Sequence, residues 1–493
     1  MVGAGLGGLA AACHLSGAGH EVTVIERDDA PGGRAGQWQV GGYRFDTGPT
    51  VFTMVDILER TFEAAGASMT DHVSFQRLDP AYRACYADGS ELFVRAGRDA
   101  MTEEIRSVCG DHDADAFGPF CDWLTELHRV EVPHFLDRNF DSPLGLASNP
   151  KAGLDLLRLG GFGKLEAKVK SYFDDERLHR LFSFQALYAG LSPFDALALY
   201  GVITYMDTVA GVWAPEGGIH AVATGLADAA EKAGTQFHYG DPVIRIERAP
   251  GNGPVNGVRT AGGLRIDADV VVANPDVPAV YRELLSTTPP WRARHGTFSP
   301  SCLLWLVGVQ GDLPEATVHH NIHFGEKWTE SFDELLNQGT TMSDPSILVS
   351  APSITDPTCA PAGRHSLYVL EPVPNLDGNV DWHTEREPAR ERLATRLASL
   401  GYPDVIEHER LTDPLDWDAL GMERGTPFAM AHKFARTGPF RAGNVDRKVP
   451  GLVLVGSGTV PGVGVPMVLL SGRLAAERAE AFGGGKKRAG RRR

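Results

Sequence analysis

Apolar runs separated by glycine-rich turns predict helices and strands in alternation at both ends of the chain. The run GGLAAACHLSGAG predicts a helix that ends at Gly17 and Gly19, and the β-branched run HEVTVIERD after it predicts a strand. Near the other end, GLVLVGSGTVPGVGVPMVLLSGRLAAERAEAF predicts a strand, a glycine-rich loop and a helix. Both ends therefore carry the elements of an α/β fold.

The middle of the chain has a different pattern. The segment YRACYADGSELFV predicts a hairpin with Asp88 and Gly89 at its tip, and residues 102–205 have a mainly helical pattern. Mixed elements follow, so a domain of strands and helices is expected between the two ends. These elements are strands in GTQFHYGDPVIRIE, GLRIDADVVVANPD, SCLLWLVGVQ and HSLYVLEPV and a helix in EREPARERLATRLASLG.

Length and charge set limits on what the chain does. With 493 residues, of which 43% are hydrophobic, it is long enough for two or three domains with a large core. The net charge of −16 argues against nucleic acid as a partner. The basic end KKRAGRRR follows three glycines, and we expect residues 483–493 to form a disordered tail that is solvated or touches anionic lipid.

The cysteines and the apolar stretches bear on location. Six cysteines are scattered without a CxxC pair, which favours a reducing cytoplasm over a zinc site or a disulfide framework. No charged and apolar leader precedes the first glycines, so no signal peptide is expected. The most apolar stretch, residues 181–206, is interrupted by Pro193 and Asp195, and neither half reaches the roughly 20 residues of a spanning helix. We expect a cytoplasmic protein that is peripheral on the inner face of the cell membrane.

The opening MVGAGLGGLA contains the GxGxxG pattern at Gly3, Gly5 and Gly8. The first glycine permits a tight turn, the second lets the backbone approach a pyrophosphate, and the third lets helix and strand pack closely. The amino end of the following helix then faces the phosphates with its partial positive charge. Glu26 closes the next strand eighteen residues after Gly8, where a carboxylate can bind both ribose hydroxyls of an adenosine.

A second glycine-rich segment narrows the choice of nucleotide. ERDDAPGGRAG places Gly33 and Arg34 shortly after the ribose acid, and a cation beside permissive glycines suits a pyrophosphate. This segment resembles the second fingerprint of the two-dinucleotide-binding-domain flavoproteins, which include amine oxidases and carotene desaturases. The resemblance implies FAD as the cofactor.

The start of the chain departs from the usual pattern of that fingerprint. Only Met1 and Val2 come before the first glycine, whereas a buried central strand is normally longer. We expect either a missing chain start or an unusually short first strand. A strand with few ladder hydrogen bonds predicts weaker retention of the cofactor.

The carboxyl-terminal segment VPGLVLVGSGTVPGVGVPMVLLSGRLAAERA resembles the signature of bacterial phytoene desaturases and related carotenoid desaturases. The resemblance extends over nearly the whole chain, although the usual NAD of that family is Asn274-Pro275-Asp276 here. It implies a Rossmann-like FAD-binding domain, a mixed β-sheet substrate domain and a helical, membrane-associating subdomain. Other segments that carry it are FDTGPTVFT, LFSFQALYAGLSPFDALALY, PEGGIHAVATGLADAAEKAG and VVANPDVP.

This end piece is expected to hold the flavin. The strand LVLVG delivers a glycine-rich loop, and Pro466 suits the first turn of the helix that begins near Val465. The helix would point its amino end at the pyrimidine side of the isoalloxazine. With the resemblance, the predicted FAD-binding residues are Gly3, Gly5, Leu6, Gly7, Gly8, Glu26, Arg27, Gly33, Arg34, Gly48, Pro49, Thr50, Val243, Gly456, Gly458, Val465, Pro466 and Met467.

An apolar carotenoid substrate would have to be recognised by shape and apolar surface. LFSFQALYAG and ALALYGVITYM supply that surface, although each of their residues is individually more typical of core than of a tunnel wall. The segment NPKAGLDLLRLGGFGKLEAKVKSYF spaces lysines and one arginine among apolar residues, as interfacial helices do, and a solvated amphipathic helix is an equal alternative. A membrane surface is thus a predicted partner.

The predicted reaction is FAD-dependent desaturation of phytoene towards lycopene-type products. Alternatives are a carotene isomerase, a later-step desaturase, an amine-oxidase-like enzyme with another apolar substrate, or a non-catalytic carotenoid-binding flavoprotein. No motif names a catalytic base, the electron acceptor is left open between oxygen and quinone, and HHNIH has no cysteine or carboxylate to complete a metal site.

The predicted fold is α/β with interleaved domains. The FAD-binding domain is expected in 1–70, 214–279 and 414–482, substrate-domain strands in 71–101, the helical substrate and membrane-associating region in 102–213, and the main substrate domain in 280–413.

Overall fold

The computed structural model describes residues 1–142, 145, 149–433 and 436–490, and side chains as far as residue 482. Strands and helices alternate at both ends of the chain, as the sequence pattern predicts. The strands are β1 (Thr23–Ile25), β2 (Gln37–Val40), β3 (Tyr43–Asp46), β4 (Phe75–Arg77), β5 (Tyr82–Cys85), β6 (Glu91–Val94), β7 (Trp213–Pro215), β8 (Gln236–His238), β9 (Val243–Arg248), β10 (Val255–Thr260), β11 (Arg265–Asp267), β12 (Val271–Ala273), β13 (Ser301–Gln310), β14 (His320–His323), β15 (Ile347–Ser350), β16 (Arg364–Val373), β17 (Val405–Thr412) and β18 (Leu452–Leu454).

The helices include one long helix that ends the described chain. They are α1 (Leu6–Gly17), α2 (Val55–Ala64), α3 (Arg98–Cys109), α4 (Asp111–Glu131), α5 (Pro150–Arg158), α6 (Leu165–Lys170), α7 (Glu176–Leu181), α8 (Gly201–Tyr205), α9 (Ile219–Lys232), α10 (Val277–Ala279), α11 (Trp291–Arg294), α12 (Trp328–Asp333), α13 (Trp382–Ser399), α14 (Pro414–Ala419) and α15 (Val465–Gly490).

A small parallel sheet carries the first glycine loop. β1 pairs with β8 and β12 pairs with β18, both in parallel, and Val2 bridges β1 and β12. The Val2 amide donates to the carbonyl of Val272 at 2.8 Å, and the Gly3 amide donates to the carbonyl of Ile25 at 2.8 Å. Val2 and Gly3 therefore make ladder hydrogen bonds to β12 on one side and to β1 on the other.

Two helices pack closely behind the first glycine loop. A Cβ on Gly472 of α15 would lie 2.5 Å from the Cβ of Ala10 and 2.8 Å from the carbonyl oxygen of Gly7. Only glycine allows this approach of α15 to α1. The helix α15 therefore packs against the first turns of α1, next to the glycine loop that precedes α1.

A second, larger sheet has seven strands in the order β17-β13-β16-β15-β14-β5-β6. All pairs are antiparallel except β14 with β5. The hairpin predicted around Asp88 and Gly89 is formed by β5 and β6. The strand β13 is apolar from Cys302 to Val309, where every residue is buried, and β16 is buried from Ser366 to Val369. This mixed sheet and the parallel strands confirm the predicted fold class.

The segment between β6 and β7 is mainly helical, as predicted, and packs around an aromatic cluster. Phe120 contacts Phe173 and Phe182 with ring centroids 5.1 Å from it in both cases. The helices α4 and α8 are each extended by a π-helical turn, at residues 132–136 and 206–210. Such turns widen the helix and are frequent at functional sites.

The last helix reaches the end of the described chain. The backbone of α15 continues to Gly490, and residues 491–493 lie outside the described residues. The disordered tail expected for residues 483–493 stays a prediction. Among the described helices, none combines the length and apolar character needed to cross a membrane.

Candidate functional site

One cavity of about 940 Å³ is lined by residues from both sheets and from the helical region. Its wall has two parts with different chemistry. The cradle is the part formed by residues of segments 2–7, 25–35, 48–50, 242–243, 274–276 and 456–468. The apolar half is the part formed by residues of segments 131–162, 184–207, 322–348 and 368–372.

The first glycine loop shapes the cradle. Gly3 has a φ of +93°, in the left-handed region that favours glycine. A Cβ on Gly5 would lie 2.7 Å from Nδ2 of Asn274, and one on Gly7 would lie 2.8 Å from Oδ1 of the same side chain. No side chain caps the amino end of α1. Its first amide N–H groups have no intrahelical partner, so they can bind an anion at the cavity wall.

Glu26 lies at the end of β1 with 5% of its surface exposed. The Ala4 amide donates to Oε2 of Glu26 at 2.5 Å, and the Asp28 amide donates to Oε1 at 3.1 Å. These two bonds fix the carboxylate on the cradle wall. Each carboxylate oxygen can accept a further hydrogen bond, so the pair can bind the two hydroxyls of a ribose.

Arg34 joins the second glycine segment to the carboxyl-terminal loop. Its Nη2 lies 2.8 Å from Oδ1 of Asp276, and its Nη1 donates to Oγ of Ser457 at 2.9 Å. Asp276 also accepts from the Glu423 amide at 3.0 Å. A phosphate beside Arg34 would therefore share the guanidinium with a buried carboxylate.

A buried arginine fixes the carboxyl-terminal loop. Arg441 is 1% exposed and donates to the carbonyl of Ser457 at 2.7 Å and to that of Thr459 at 2.9 Å. Burial lowers the pKa of its guanidinium to about 10. The helix α15 then begins at Val465 with Pro466 in its first turn, as predicted, and its amino end lies on the cradle wall.

Most of the predicted FAD-binding residues meet on this wall. Gly8 and Gly458 are the exceptions: a Cβ on Gly8 would lie 2.3 Å from the carbonyl oxygen of Gly3, and one on Gly458 would lie 3.1 Å from Val277. These two glycines permit packing behind the wall. The residues brought together on it are Gly3, Gly5, Leu6, Gly7, Glu26, Arg27, Gly33, Arg34, Gly48, Pro49, Thr50, Val243, Gly456, Val465, Pro466 and Met467.

The sequence analysis missed three parts of the cradle. Asn274 separates the two glycine loops, and Ser457 holds Arg34, although both lie inside segments already singled out. Their positions beside glycines were the available signal. Tyr368 of β16 donates to the carbonyl of Gly48 at 2.8 Å across 320 residues of sequence, for which no local signal exists.

The cradle fits FAD on two grounds within the described residues. It has glycines where a Cβ would fill the space, at Gly5 and Gly7. It also has two buried polar atoms without a hydrogen-bond partner, Oδ1 of Asn274 and Nε of Arg34. Buried polar atoms are normally paired, so these two indicate a missing polar ligand. Glu26 would hold the ribose, and the amino ends of α1 and α15 would face the anionic groups.

The apolar half is built from the helical region and the seven-stranded sheet. Side chains of the stretch 181–206 that line it include Leu187, Val202 and Ile203. From the opposite side come Ile322 and Leu348 of the sheet. The apolar stretch therefore contributes to the cavity wall as well as to the core.

Three buried side chains of the carboxylate and imidazole types lie on the cavity wall within or next to this apolar surface: Glu131, Asp207 and His432. Burial raises the pKa of Glu131 well above its usual range and raises that of Asp207 to about 7. Burial, assisted by the charge of Arg441, lowers the pKa of His432 well below its usual range. Perturbed groups of this kind mark functional sites.

The HHNIH segment forms β14 and the residue before it. His319 pairs with Thr355 at 2.6 Å, His320 with Ser350 at 2.8 Å, and His323 with Tyr402 at 3.1 Å. Within the described part of the chain, no group of three or more His, Cys, Asp and Glu side chains is placed to hold a metal ion.

Comparisons with known proteins agree with this geometry. A family model described as flavin containing amine oxidoreductase matches residues 6–479. The chain is 48% identical over 486 residues to a phytoene dehydrogenase of Streptomyces griseus, covering 97% of this chain and 94% of that protein. It is 35% identical over 488 residues to a zeta-carotene-forming phytoene desaturase of Myxococcus xanthus, covering 97% and 93%.

Solved structures share the fold. An oxidoreductase from Methanosarcina mazei has a TM-score of 0.61 at 19% identity, covering 97% of this chain and 99% of that one. A putrescine oxidase variant has a TM-score of 0.59 at 15% identity, covering 98% and 97%. With a family model and relatives that each span nearly its full length, the chain belongs to the flavin-containing amine oxidoreductases, among the phytoene and carotenoid desaturases, and its cofactor is FAD.

Proposed function

We propose that the protein is an FAD-dependent carotenoid desaturase that converts phytoene towards lycopene-type products. The relatives named above as phytoene dehydrogenase and phytoene desaturase support this substrate class. A carotene carries no polar group, so its binding depends on apolar surface and shape.

One observation carries the proposal: the apolar half and the cradle are parts of the same cavity. The space lined by Leu187, Ile203 and Ile322 is continuous with the space beside the amino end of α15. An apolar substrate bound in the first space can therefore extend into the second. FAD, when bound, supplies the acceptor for a hydride from the carotenoid. The apolar side chains orient the substrate and exclude water, which fixes the geometry on which hydride transfer depends.

We further propose that the protein works as a peripheral protein on the cytoplasmic face of the cell membrane, where an apolar substrate dissolves. Three large apolar side chains are exposed next to the cavity: Leu154 by 45%, Leu157 by 61% and Phe162 by 44%. Their neighbours Gly153 and Leu156 line the cavity, as does Phe162 itself. This exposed trio supports a docking surface beside the cavity mouth.

The basic residues of this segment contribute less than their number indicates. Lys170 pairs with Glu166 at 2.6 Å, and Lys164 donates to the carbonyl of Asp195 at 3.0 Å. Lys168 lies over the ring of Trp123, with its Nζ 5.2 Å from the centroid. Because these charges have partners within the protein, we assign the main contribution to membrane binding to the apolar trio.

Anaerobic mixing of the holoenzyme with phytoene in liposomes tests the proposed function. We expect the absorption of oxidised flavin to bleach and products with a longer conjugated system to form in equal amount. Liposomes without phytoene are the control. A parallel assay offers zeta-carotene in place of phytoene. If only zeta-carotene bleaches the flavin, the protein is a later-step desaturase. If phytoene binds and the flavin is not bleached, the protein is a carotenoid-binding protein. Readmission of oxygen, or addition of a quinone, then identifies the electron acceptor.

A further inference from the structure

We propose that Asp207 is the base that takes up the proton released when the carotenoid is desaturated. The inference rests on the proposed function and assigns a role that no sequence motif indicates. Asp207 lies on the cavity wall in the π-helical turn 206–210, with 3% of its surface exposed.

The carboxylate is held by donors from distant segments. Tyr82 of β5 donates to Oδ2 of Asp207 at 3.2 Å, and a hydrogen bond with the Gln185 side chain also favours the ionised form. Gln185 is fixed in turn by a bond from its Nε2 to the carbonyl of Leu181 at 3.2 Å. Tyr188 lines the cavity beside them. The two donors therefore orient the carboxylate and offset part of the cost of placing its charge on an apolar wall.

The surroundings of Asp207 explain how it titrates. Burial raises the pKa of the carboxyl to about 7, and the hydrogen bonds with Tyr82 and Gln185 oppose that rise. Two other titratable groups lie near Tyr82. Tyr188 interacts with its hydroxyl, and the ring centroid of His320 lies 5.6 Å from that of Tyr82. Burial keeps both tyrosines and His320 uncharged near neutrality. A carboxyl with this pKa is partly ionised at neutral pH and is a stronger base than an ordinary aspartate.

The two other ionisable groups on the wall are poorer proton acceptors. Glu131 has an Oε1 without a partner among the described residues, and burial raises its pKa well above the usual range, which disfavours the charged form that would take up a proton. His432 also has an unpartnered Nε2, but its protonation would place a second positive charge near the buried Arg441. Asp207 alone combines a charged form stabilised by donors with a place on the apolar wall.

The step balances with the groups already assigned. One C–H bond of the substrate breaks with its electron pair, and that hydride is accepted by FAD. The C–H bond on the adjacent carbon breaks to give a proton to Oδ of Asp207, and its electrons form the new carbon–carbon double bond. The substrate is oxidised by two electrons, the flavin is reduced by two, and the Asp207 carboxyl is left protonated.

Asp207→Asn tests the assignment, since it keeps the shape and removes the base. We expect the rate of anaerobic flavin reduction by phytoene to fall at least about 100-fold, the scale of general-base catalysis, with flavin content unchanged. Asp207→Glu should recover part of the rate. The matched control is Asp88→Asn at the exposed tip of the β5–β6 hairpin, which should reduce flavin like the wild type. A wild-type rate in Asp207→Asn overturns the proposal.

A second readout needs no turnover. Burial also raises the pKa of Glu371 to about 7 and that of Asp46 to about 6, so the readout is the wild-type minus Asp207→Asn infrared difference spectrum. A carbonyl band of a protonated carboxylic acid should grow in this difference spectrum as the pH falls through about 7. Tyr82→Phe removes a donor to the ionised form, so it should move both this titration and the pH midpoint of flavin reduction upward. An unchanged midpoint in Tyr82→Phe, or a difference spectrum without this band, contradicts the assignment. If wild-type flavin is not reduced by phytoene at all, the proposed function fails first, and the base fails with it.

Discussion

The two halves of the cavity recognise their ligands by opposite means. The cradle uses backbone amides, glycines without a Cβ, and two charged side chains, Glu26 and Arg34, that are fixed by hydrogen bonds. The apolar half uses side chains from segments far apart in the chain and has few polar atoms. The cradle therefore selects a dinucleotide by the fixed positions of its polar atoms. The apolar half selects an apolar polyene because it offers few polar atoms.

Because the apolar half has few polar groups, an acid located there needs an explanation. A hydrogen-bonded acid such as Glu26 stabilises the cradle, whereas an acid such as Asp207 lies where burial opposes its charge. A group retained at a cost in stability is best explained by function. The same chemical type thus has a structural and binding role in one half and a catalytic role in the other.

The largest effect is expected where the cradle has no room. A Cβ on Gly48 would lie 1.8 Å from the carbonyl oxygen of Arg34, so Gly48→Ala must displace the segment that carries the guanidinium. We expect purified Gly48→Ala to contain little flavin and to melt well below the wild type. Gly443→Ala is the control, because the nearest atom to its Cβ lies 4.0 Å away. Full flavin content in Gly48→Ala would refute this account of the cradle.

A smaller effect is expected at the ribose acid. Glu26→Gln replaces charge-assisted hydrogen bonds by neutral ones and presents an amide donor near the Ala4 amide, which is itself a donor. We expect FAD to bind more weakly by roughly 1.5–3 kcal/mol, measured by titration of apoprotein with FAD. The exposed Glu21→Gln should bind FAD normally. Equal affinities of the two variants would remove Glu26 from the ribose site.

In the apolar half, removal of an acid is expected to stabilise the protein, in contrast to the weaker cofactor binding expected for Glu26→Gln. The pKa of Asp207 is about 7 in the folded protein and near 4 when unfolded, so between these pH values the unfolded chain loses a proton that the folded protein keeps, and wild-type stability falls as pH rises. Asp207→Asn should therefore gain stability relative to the wild type from pH 4 to 7, and by about 4 kcal/mol above pH 7. Denaturant unfolding of both proteins across this range measures the gain. A difference in unfolding free energy between the two proteins that does not change with pH would contradict this prediction.

The smallest effect concerns the membrane. Replacing Leu154, Leu157 and Phe162 by serine should reduce sedimentation with liposomes about tenfold, because these side chains lose apolar area buried in lipid. Flavin content should not change. The matched control carries serine at Ile244, Ile354 and Val405, which are exposed by 52%, 42% and 54% elsewhere on the surface. Equal sedimentation of the two triple variants would remove the trio from the docking surface.

How much could be predicted from the sequence also divides along the two halves. The cradle depends on backbone conformation at fixed spacing, and such spacing is visible as Gly3, Gly5 and Glu26. Asp207 carries no such signal, because its role depends on Tyr82, which lies 125 residues away in the chain. The stretch 181–206 indicated apolar surface, yet periodicity does not separate a cavity wall from core.

Two residues show how the fold refines what the sequence indicates. The segment with Lys164 and Lys170 was expected to be either interfacial or a solvated helix, and the fold gives these lysines Asp195 and Glu166 as partners. Gly8 does not line the cavity, and its missing Cβ makes room for the carbonyl of Gly3, which is the packing role expected for the third glycine of the pattern. In both cases the contact partner comes from the fold and is not visible in the local pattern.

The most direct test is a crystal structure of the holoenzyme with a bound carotenoid. We expect FAD in the cradle, with its ribose on Glu26 and its isoalloxazine at the amino end of α15. We expect the polyene in the apolar half, in van der Waals contact with the flavin on one side and with the Asp207 carboxyl on the other. A polyene bound outside this cavity, or separated from the flavin by protein atoms, would contradict the claim that the two halves form one site.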